Sequence, residues 1–309
     1  MYKVFIDGEH GTTGLLIHQS LKALENIKIL SLAPHQYKNI NARVDIAKQA
    51  DITILCLPDE AAKEIANELY KEKNVRIIDC STAFRTDENW VYGFAEITNK
   101  QEKLIQNANY VSNPGCYPTG ALSLIRPLRD SNIFTKDVFL TIYAVSGYSG
   151  GGKNLINQIT NTNADDYIAS NYFSYALQLE HKHNLEIKKH GKLTHMPVFL
   201  PNVARFKQGM IVNIGIHLDA LAGRYNIEDI SEIFANHYAG KDNILIADNN
   251  DAQNLKRLEP ELFTDTNKLK IYIFGSKKNR TLNLCAVFNN LGKGASGAAV
   301  QNLKHMLKI

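Results

Sequence analysis

Residues 4–6 form an apolar run that leads directly into Gly8-Glu9-His10-Gly11-Thr12-Thr13-Gly14, and Leu15, Leu16, Ile17, Leu21 and Leu24 then follow at helical spacing. Further apolar runs at residues 27–32, 52–57, 75–79 and 109–111 are separated by helical patterns. Pro58-Asp59-Glu60 opens one such helix, which carries Ala61, Ala62, Ile65, Ala66 and Leu69 on one face. Strands that are apolar without alternation are buried on both faces, and intervening helices force crossovers. Together these predict a parallel, doubly wound α/β sheet of Rossmann-like type.

From about residue 139 the period changes. Residues 138–145, 210–218, 270–274 and 281–288 alternate as half-buried strands do, which predicts a mostly antiparallel sheet with helices on one face, an α+β domain. The tail from Gly294 to Leu303 is a helix of small residues, suited to returning and packing on the first domain.

Gly8, Gly11 and Gly14 sit between a strand and a helix at the start of this βαβ series. There they let backbone N–H groups face a pyrophosphate, and Thr12 and Thr13 add hydroxyl donors. An ordinary strand-to-helix turn can hold three glycines, but the context favours a dinucleotide. Residues 31–38 after the second strand lack the carboxylate that would hold a ribose 2′-OH. Ser31, His35 and Lys38 can instead receive a 2′-phosphate, so NADP(H) is the expected cofactor. Otherwise His35 and Lys38 are solvated loop residues.

Cys116 lies in Ser112-Asn113-Pro114-Gly115-Cys116-Tyr117-Pro118-Thr119-Gly120. Asn-Pro-Gly is turn chemistry, with Gly115 open to the left-handed region, and Pro118 suits the first turn of a helix. The thiol would stand at the positive end of a helix dipole, where thiolates form more readily. Most free cysteines are small buried hydrophobes, and Cys56, Cys80 and Cys285 fit that reading because each sits in an apolar strand-like run. The four cysteines have no zinc spacing, so no metal is expected. Free thiols and the absence of a signal-peptide pattern point to a reducing cytoplasm. A net charge of +4 without basic runs argues against nucleic acid, and no apolar stretch reaches membrane-spanning length.

With these pieces placed, the chain resembles the N-acetyl-γ-glutamyl-phosphate reductases of arginine biosynthesis, in their shorter form, within the aspartate-semialdehyde dehydrogenase-like superfamily. The resemblance rests on Gly8 to Gly14, on Asp79-Cys80-Ser81-Thr82-Ala83-Phe84-Arg85, on Tyr92-Gly93-Phe94-Ala95-Glu96 and on the cysteine motif. Ala144-Val145-Ser146-Gly147-Tyr148-Ser149-Gly150-Gly151-Gly152-Lys153, His181-Lys182-His183 and the segment from Asn290 to Gly297 complete it. The chain departs from the family at Asn184, where a proline is usual, and at Asn289, where an aspartate is usual.

The resemblance implies an NADP-binding domain over residues 1–115, a catalytic and dimerisation domain over 116–288, and a C-terminal helix over 289–309 packing on the first domain. It implies a small acyl phosphate as substrate, and a homodimer or homotetramer. Cys116 would attack the acyl carbon, expel phosphate and hold a thioester for hydride reduction. A histidine suits the proton transfer, and the resemblance selects His181, the first of the pair. His183 and Glu186 would orient it or bind substrate, and His183 stays open as the alternative acid/base. The Arg85 fork can clamp a phosphate or carboxylate, and Ser112, Asn113 and Ser146 complete the expected substrate contacts. Pro58, Ser81, Gly147 and Asn290 join the expected cofactor contacts.

Three other readings remain. The same chemistry can serve an aspartyl or aminoadipyl analogue, because pocket shape is not written in residue strings. A non-catalytic dinucleotide sensor would not need the activated thiol. A Cys-His hydrolase or acyltransferase would not need the glycine turn.

Overall fold

Side chains alternate along β1 (Tyr2–Asp7), and both sets are buried. Val4 and Ile6 join one apolar cluster, while Phe5 enters another on the opposite face. This is why the strand reads as a continuous apolar run. The computed structural model describes residues 1–72 and 75–309.

After β1 come α1 (Thr12–Lys22), β2 (Ile27–Leu30), α2 (Ile40–Ala47), β3 (Ile52–Leu55), α3 (Asp59–Leu69) and β4 (Ile77–Asp79). Then follow β5 (Val91–Tyr92), α4 (Gln101–Asn107) and β6 (Tyr110–Ser112). The six strands form one sheet in the order β2-β1-β3-β4-β6-β5, and every pairing is parallel. Helix α3 begins with Asp59 and Glu60, which complement the positive end of its dipole, and it buries Ala62, Ile65, Ala66 and Leu69. β4 is shorter than the expected 75–79 run, and β5 was not expected at all. Two residues are too few to show a period.

The second sheet belongs to a separate unit. Its elements are α5 (Cys116–Asp130), β7 (Thr141–Gly147), α6 (Gly152–Thr160), β8 (Tyr172–Ser174), α7 (His183–His190) and β9 (Val198–Ala204). They continue with β10 (Met210–His217), α8 (Ile227–His237), β11 (Ile244–Ile246), α9 (Asn249–Asn254), β12 (Leu269–Ser276) and β13 (Thr281–Phe288). The strand order is β11-β12-β13-β10-β7-β9-β8. Four of its pairings are antiparallel, whereas β11–β12 and β7–β9 are parallel. Helix α5 lies so close to the sheet that a Cβ on Gly120 would stand 2.5 Å from Val212 and 2.9 Å from Phe288. On the strands, Ile142 and Ala144 are fully buried while Tyr143 between them is exposed, the expected half-buried alternation.

Helix α10 (Gly297–Leu307) belongs to the first unit, where Asn302 donates to Gly93 O at 2.9 Å and Arg76 donates to Met306 O at 2.9 Å. The first unit comprises Met1–Ala95, Asn99–Gly115 and Ala295–Ile309, and the second Glu96–Thr98 and Cys116–Gly294. Among the described residues, no helix is long and apolar enough to cross a membrane.

Candidate active site

Cys116 is the first residue of α5 and is half-buried, with Pro118 in the first turn behind it. Among the described residues, positive φ at glycine falls at Gly8, Gly152, Gly209, Gly223 and Gly240. Gly115 therefore turns the chain without the left-handed conformation that its sequence setting suggested. A different glycine serves the thiol directly. A Cβ on Gly294 would lie 2.8 Å from Cys116 Cβ, so no side chain fits there without displacing the cysteine.

The residue after the cysteine organises the site within the second unit. The Tyr117 hydroxyl donates to Asn202 O at 2.9 Å, and its ring meets Phe199, His181 and His183 at centroid distances of 5.1, 5.9 and 6.0 Å. Burial pushes the Tyr117 phenol well up, and the charges of Tyr175 and Cys116 add to that. Burial raises Tyr175 likewise, opposed by its hydrogen bond with Tyr117 and reinforced by Cys116. Both phenols therefore keep their protons.

His181 Nδ1 accepts the His183 backbone N–H at 3.0 Å, and its Nε2 lies 3.2 Å from the Tyr175 hydroxyl. An accepting Nδ1 places the neutral ring's proton on Nε2, so the imidazole presents an N–H donor at that end. Burial, with the nearby Lys182 charge, lowers His181 to about 4. His183 and Glu186 are buried on the first turn of α7.

Asn290 organises the glycine-rich loop. Its Nδ2 donates to Ser146 Oγ and Gly147 O at 3.1 Å each and to Ser149 Oγ at 3.3 Å, while its Oδ1 accepts Gly209 N–H at 3.0 Å. All its polar capacity is spent inside the protein, and Ser146 also reaches Tyr117.

In the first unit, α1 starts after Gly11 with no side-chain cap and no acidic residue in its first turn, leaving N–H donors for an anion. Gly8 has φ of +87°, and a Cβ there would stand 2.5 Å from Cys56 O. Ser31, His35 and Lys38 are exposed, and Ser31, Leu32 and Gln36 help line an open pocket beside β2. One carboxylate reaches this end from the glycine turn itself. Ser31 Oγ donates to Glu9 Oε2 at 3.2 Å, and Nε2 of His10 and of His18 lies 3.9 and 3.8 Å from the Glu9 carboxylate. Pro58 caps α3. Ser81 donates to Asp79 Oδ2 at 2.7 Å. Arg85 donates through Nε to Asn113 O at 2.9 Å and through Nη2 to Cys80 O at 3.1 Å. The Asn113 side chain donates to Ala295 O and accepts from Asn302, whereas the buried Ser112 Oγ has no hydrogen-bond partner among the described residues.

The structure thus brings Cys116, Ser146, His181 and His183 around Tyr117, and Gly147 onto Asn290. It gathers the glycine turn and Ser31 in the first unit, with Arg85 held beside Asn113. Tyr175, Asn202 and Glu9 were missed as site residues. Tyr117 stood inside the cysteine motif without a role, and no local pattern marks Tyr175, which meets His181 only after the chain has folded.

Residues 11–105 match the semialdehyde dehydrogenase NAD binding domain, and residues 116–290 match the semialdehyde dehydrogenase dimerisation domain. The chain is 45% identical over 305 residues to the N-acetyl-gamma-glutamyl-phosphate reductase of Brucella suis, covering 99% of this chain and 98% of that protein. Its fold is similar to aspartate semialdehyde dehydrogenase II of Vibrio cholerae complexed with ASA, at a TM-score of 0.74 and 15% identity, covering 100% and 98% of the two chains. It is also similar to the Candida albicans aspartate semialdehyde dehydrogenase with NADP, at a TM-score of 0.68 and 13% identity, with both chains fully covered.

Proposed function

The chain belongs to the N-acetyl-γ-glutamyl-phosphate reductase family, and from that membership we propose that it reduces N-acetyl-γ-glutamyl phosphate to N-acetylglutamate 5-semialdehyde and phosphate in arginine biosynthesis. The observation that carries the site assignment is the cluster on Tyr117. It sets His181, with an Nε2 donor, in ring contact with the residue adjacent to Cys116.

The Cys116 thiolate, at the positive end of α5, attacks the acyl carbon. The C–O bond to phosphate breaks, leaving a thioester on sulfur and free phosphate. NADP(H), when bound, would supply the hydride that reduces the acyl carbon held on Cys116. The C–S bond then breaks, the aldehyde leaves and sulfur regains its electron pair. His181 moves the proton that the oxygen intermediate requires. A bound phosphate dianion raises an imidazole's proton affinity, so substrate brings His181 up from its lowered value towards working pH. Ser146 and His183 orient the acyl group, Arg85, Ser112 and Asn113 serve the substrate's anionic groups, and Glu186 accepts from its acetamido N–H.

The donor set of the glycine turn fits a dinucleotide: the uncapped start of α1 and the hydroxyls of Thr12 and Thr13 would hold the pyrophosphate. Ser31, His35 and Lys38 would take a 2′-phosphate. The Glu9 carboxylate stands beside Ser31, with the His10 and His18 rings 3.9 and 3.8 Å from it. Pro58 and Ser81 would complete the cofactor contacts of the first unit, and Asn290 acts on the cofactor through the Gly147 backbone it holds.

On the second sheet, Tyr143, Tyr172, Val198 and Leu200 expose 43, 44, 42 and 39% of their surface on adjoining strands. We assign this face to a homodimer interface, with a tetramer as a further stage. Four free thiols suit a reducing cytoplasm.

The test is phosphate-dependent oxidation of N-acetylglutamate 5-semialdehyde with NADP, followed by NADPH absorbance. Wild type should turn over and Cys116→Ala should not. Undiminished activity in the variant would sink the mechanism, and preference for aspartate semialdehyde would overturn the substrate.

A further inference from the structure

Two thiols that the reaction does not use stand side by side at the carboxyl ends of β3 and β4. Leu55 pairs with Asp79 in the parallel register, and Cys80 N–H donates to Leu55 O at 2.9 Å, so Cys56 and Cys80 are the next neighbours across the pair. Both side chains pack against the same apolar cluster, and both cysteines are half-buried and free. They lie just past the strand ends, not within the strands as the sequence suggested. Neighbouring strands lie about 4.8 Å apart, inside the range of about 4.4–6.8 Å between Cα atoms that a disulfide spans.

Cys56 is also the residue on which the glycine turn rests. Its N–H donates to Asp7 O at 2.8 Å, and its carbonyl fills the space where a Gly8 side chain would go. A disulfide fixes its Cβ atoms about 3.8 Å apart and its torsion near 90°, so closing the bridge constrains the Cys56 backbone beside the turn. The Cys56 carbonyl lies against the Cα of Gly8, so a change in the Cys56 backbone is felt at the glycine turn.

We propose that Cys56 and Cys80 form a reversible intrachain disulfide under oxidising conditions, and that closing it weakens dinucleotide binding at the glycine turn. The oxidant is a low-molecular-weight disulfide. Cys80 attacks first here, and the balance is unchanged if Cys56 does so. The Cys80 thiolate forms a mixed disulfide and releases one small thiolate. Cys56 then attacks the Cys80 sulfur and releases the second. Two protein thiols are oxidised, one disulfide is reduced to two thiols, and the two protein protons end on those thiols.

The effect on binding rests on the dinucleotide reading of the turn, but bridge formation does not. The experiment uses full-length Cys116→Ala protein, so that the remaining thiol is Cys285, which is buried and pushed up to about 12. After treatment with oxidised glutathione, tryptic peptides 49–63 and 77–85 should appear cross-linked. NADPH affinity, read by nucleotide fluorescence, should fall about tenfold and return with dithiothreitol. Cys80→Ser in the same background should form no cross-link and keep its affinity. Glutathione adducts without the cross-link, or a cross-link that leaves affinity unchanged, overturn the proposal. Reduced protein that binds no NADPH while still cross-linking would instead overturn the dinucleotide reading.

Discussion

Lys293 donates to both carboxylate oxygens of Glu96, at 2.7 and 2.8 Å, and only 2–3% of either side chain reaches solvent. Burial pulls the Lys293 ammonium down while Glu96 holds it charged. Both residues belong to the second unit, and Lys293 immediately precedes the glycine packed on Cys116. The pair therefore anchors the turn that shapes the thiol's surroundings. Lys293→Met leaves a buried carboxylate without its partner and should cost about 3–5 kcal/mol of stability. Adding Glu96→Gln should recover part of that loss, so the double variant should be less damaged than the sum of the two singles. Urea midpoints of the four proteins measure this coupling, and strict additivity would show the pair to be unimportant.

Asp79 is fully buried, with Oδ2 accepting from Ser81 and Oδ1 without a hydrogen-bond partner among the described residues. Burial raises it from 3.8 to about 6, against the opposing Ser81 hydrogen bond. A carboxyl raised in the folded state makes its contribution below pH 3.8 and loses it as pH rises through about 6. Asp79→Asn should therefore stabilise the protein at pH 8, by on the order of 3 kcal/mol at most. It should make little difference at pH 3.5. Thermal midpoints at the two pH values provide the check, and equal shifts at both would refute the titration.

His181 has the opposite sign. Its ring is lowered from 6.5 to about 4 by burial and Lys182, so between those values the unfolded chain binds more protons than the folded one. Its contribution is present above pH 6.5 and is lost as pH falls through about 4. His181→Asn can still accept the His183 N–H, but it carries no proton. Its urea midpoint should fall less between pH 7 and pH 4 than that of wild type. Turnover should drop by about 10²–10⁴-fold, the usual weight of a lost acid/base group. A variant with wild-type pH dependence would place the titration elsewhere.

The parallel sheet could be read in the sequence because Val4, Phe5 and Ile6 are all buried, and local apolarity then reports burial directly. The same holds for α3, whose buried residues recur at helical spacing. Cys116 was visible because turn residues and a helix start adjoin it in the chain. Tyr175 was not, since it contacts His181 only after β8 pairs with β9 and carries residue 175 into place. Nor was Glu9, whose carboxylate meets Ser31 22 residues away, because two strands run in parallel. Period and turn chemistry are local properties. Partners of buried polar groups are set by register between distant segments, which no short string contains.

Leu200 tests what covers the open face of the second sheet. Leu200 pairs with Tyr143 across β9 and β7, and the Tyr143 and Tyr172 hydroxyls share a hydrogen bond beside it. An apolar row of this kind on a sheet is stable in water when a second copy covers it, and a charge at its centre would have to be desolvated on assembly. Leu200 is itself 39% exposed, so a charge there should leave the protomer folded. Leu200→Asp should therefore run as a smaller species in sedimentation or size-exclusion chromatography, with unfolding that no longer depends on protein concentration. Unchanged assembly in Leu200→Asp would place the interface on another surface.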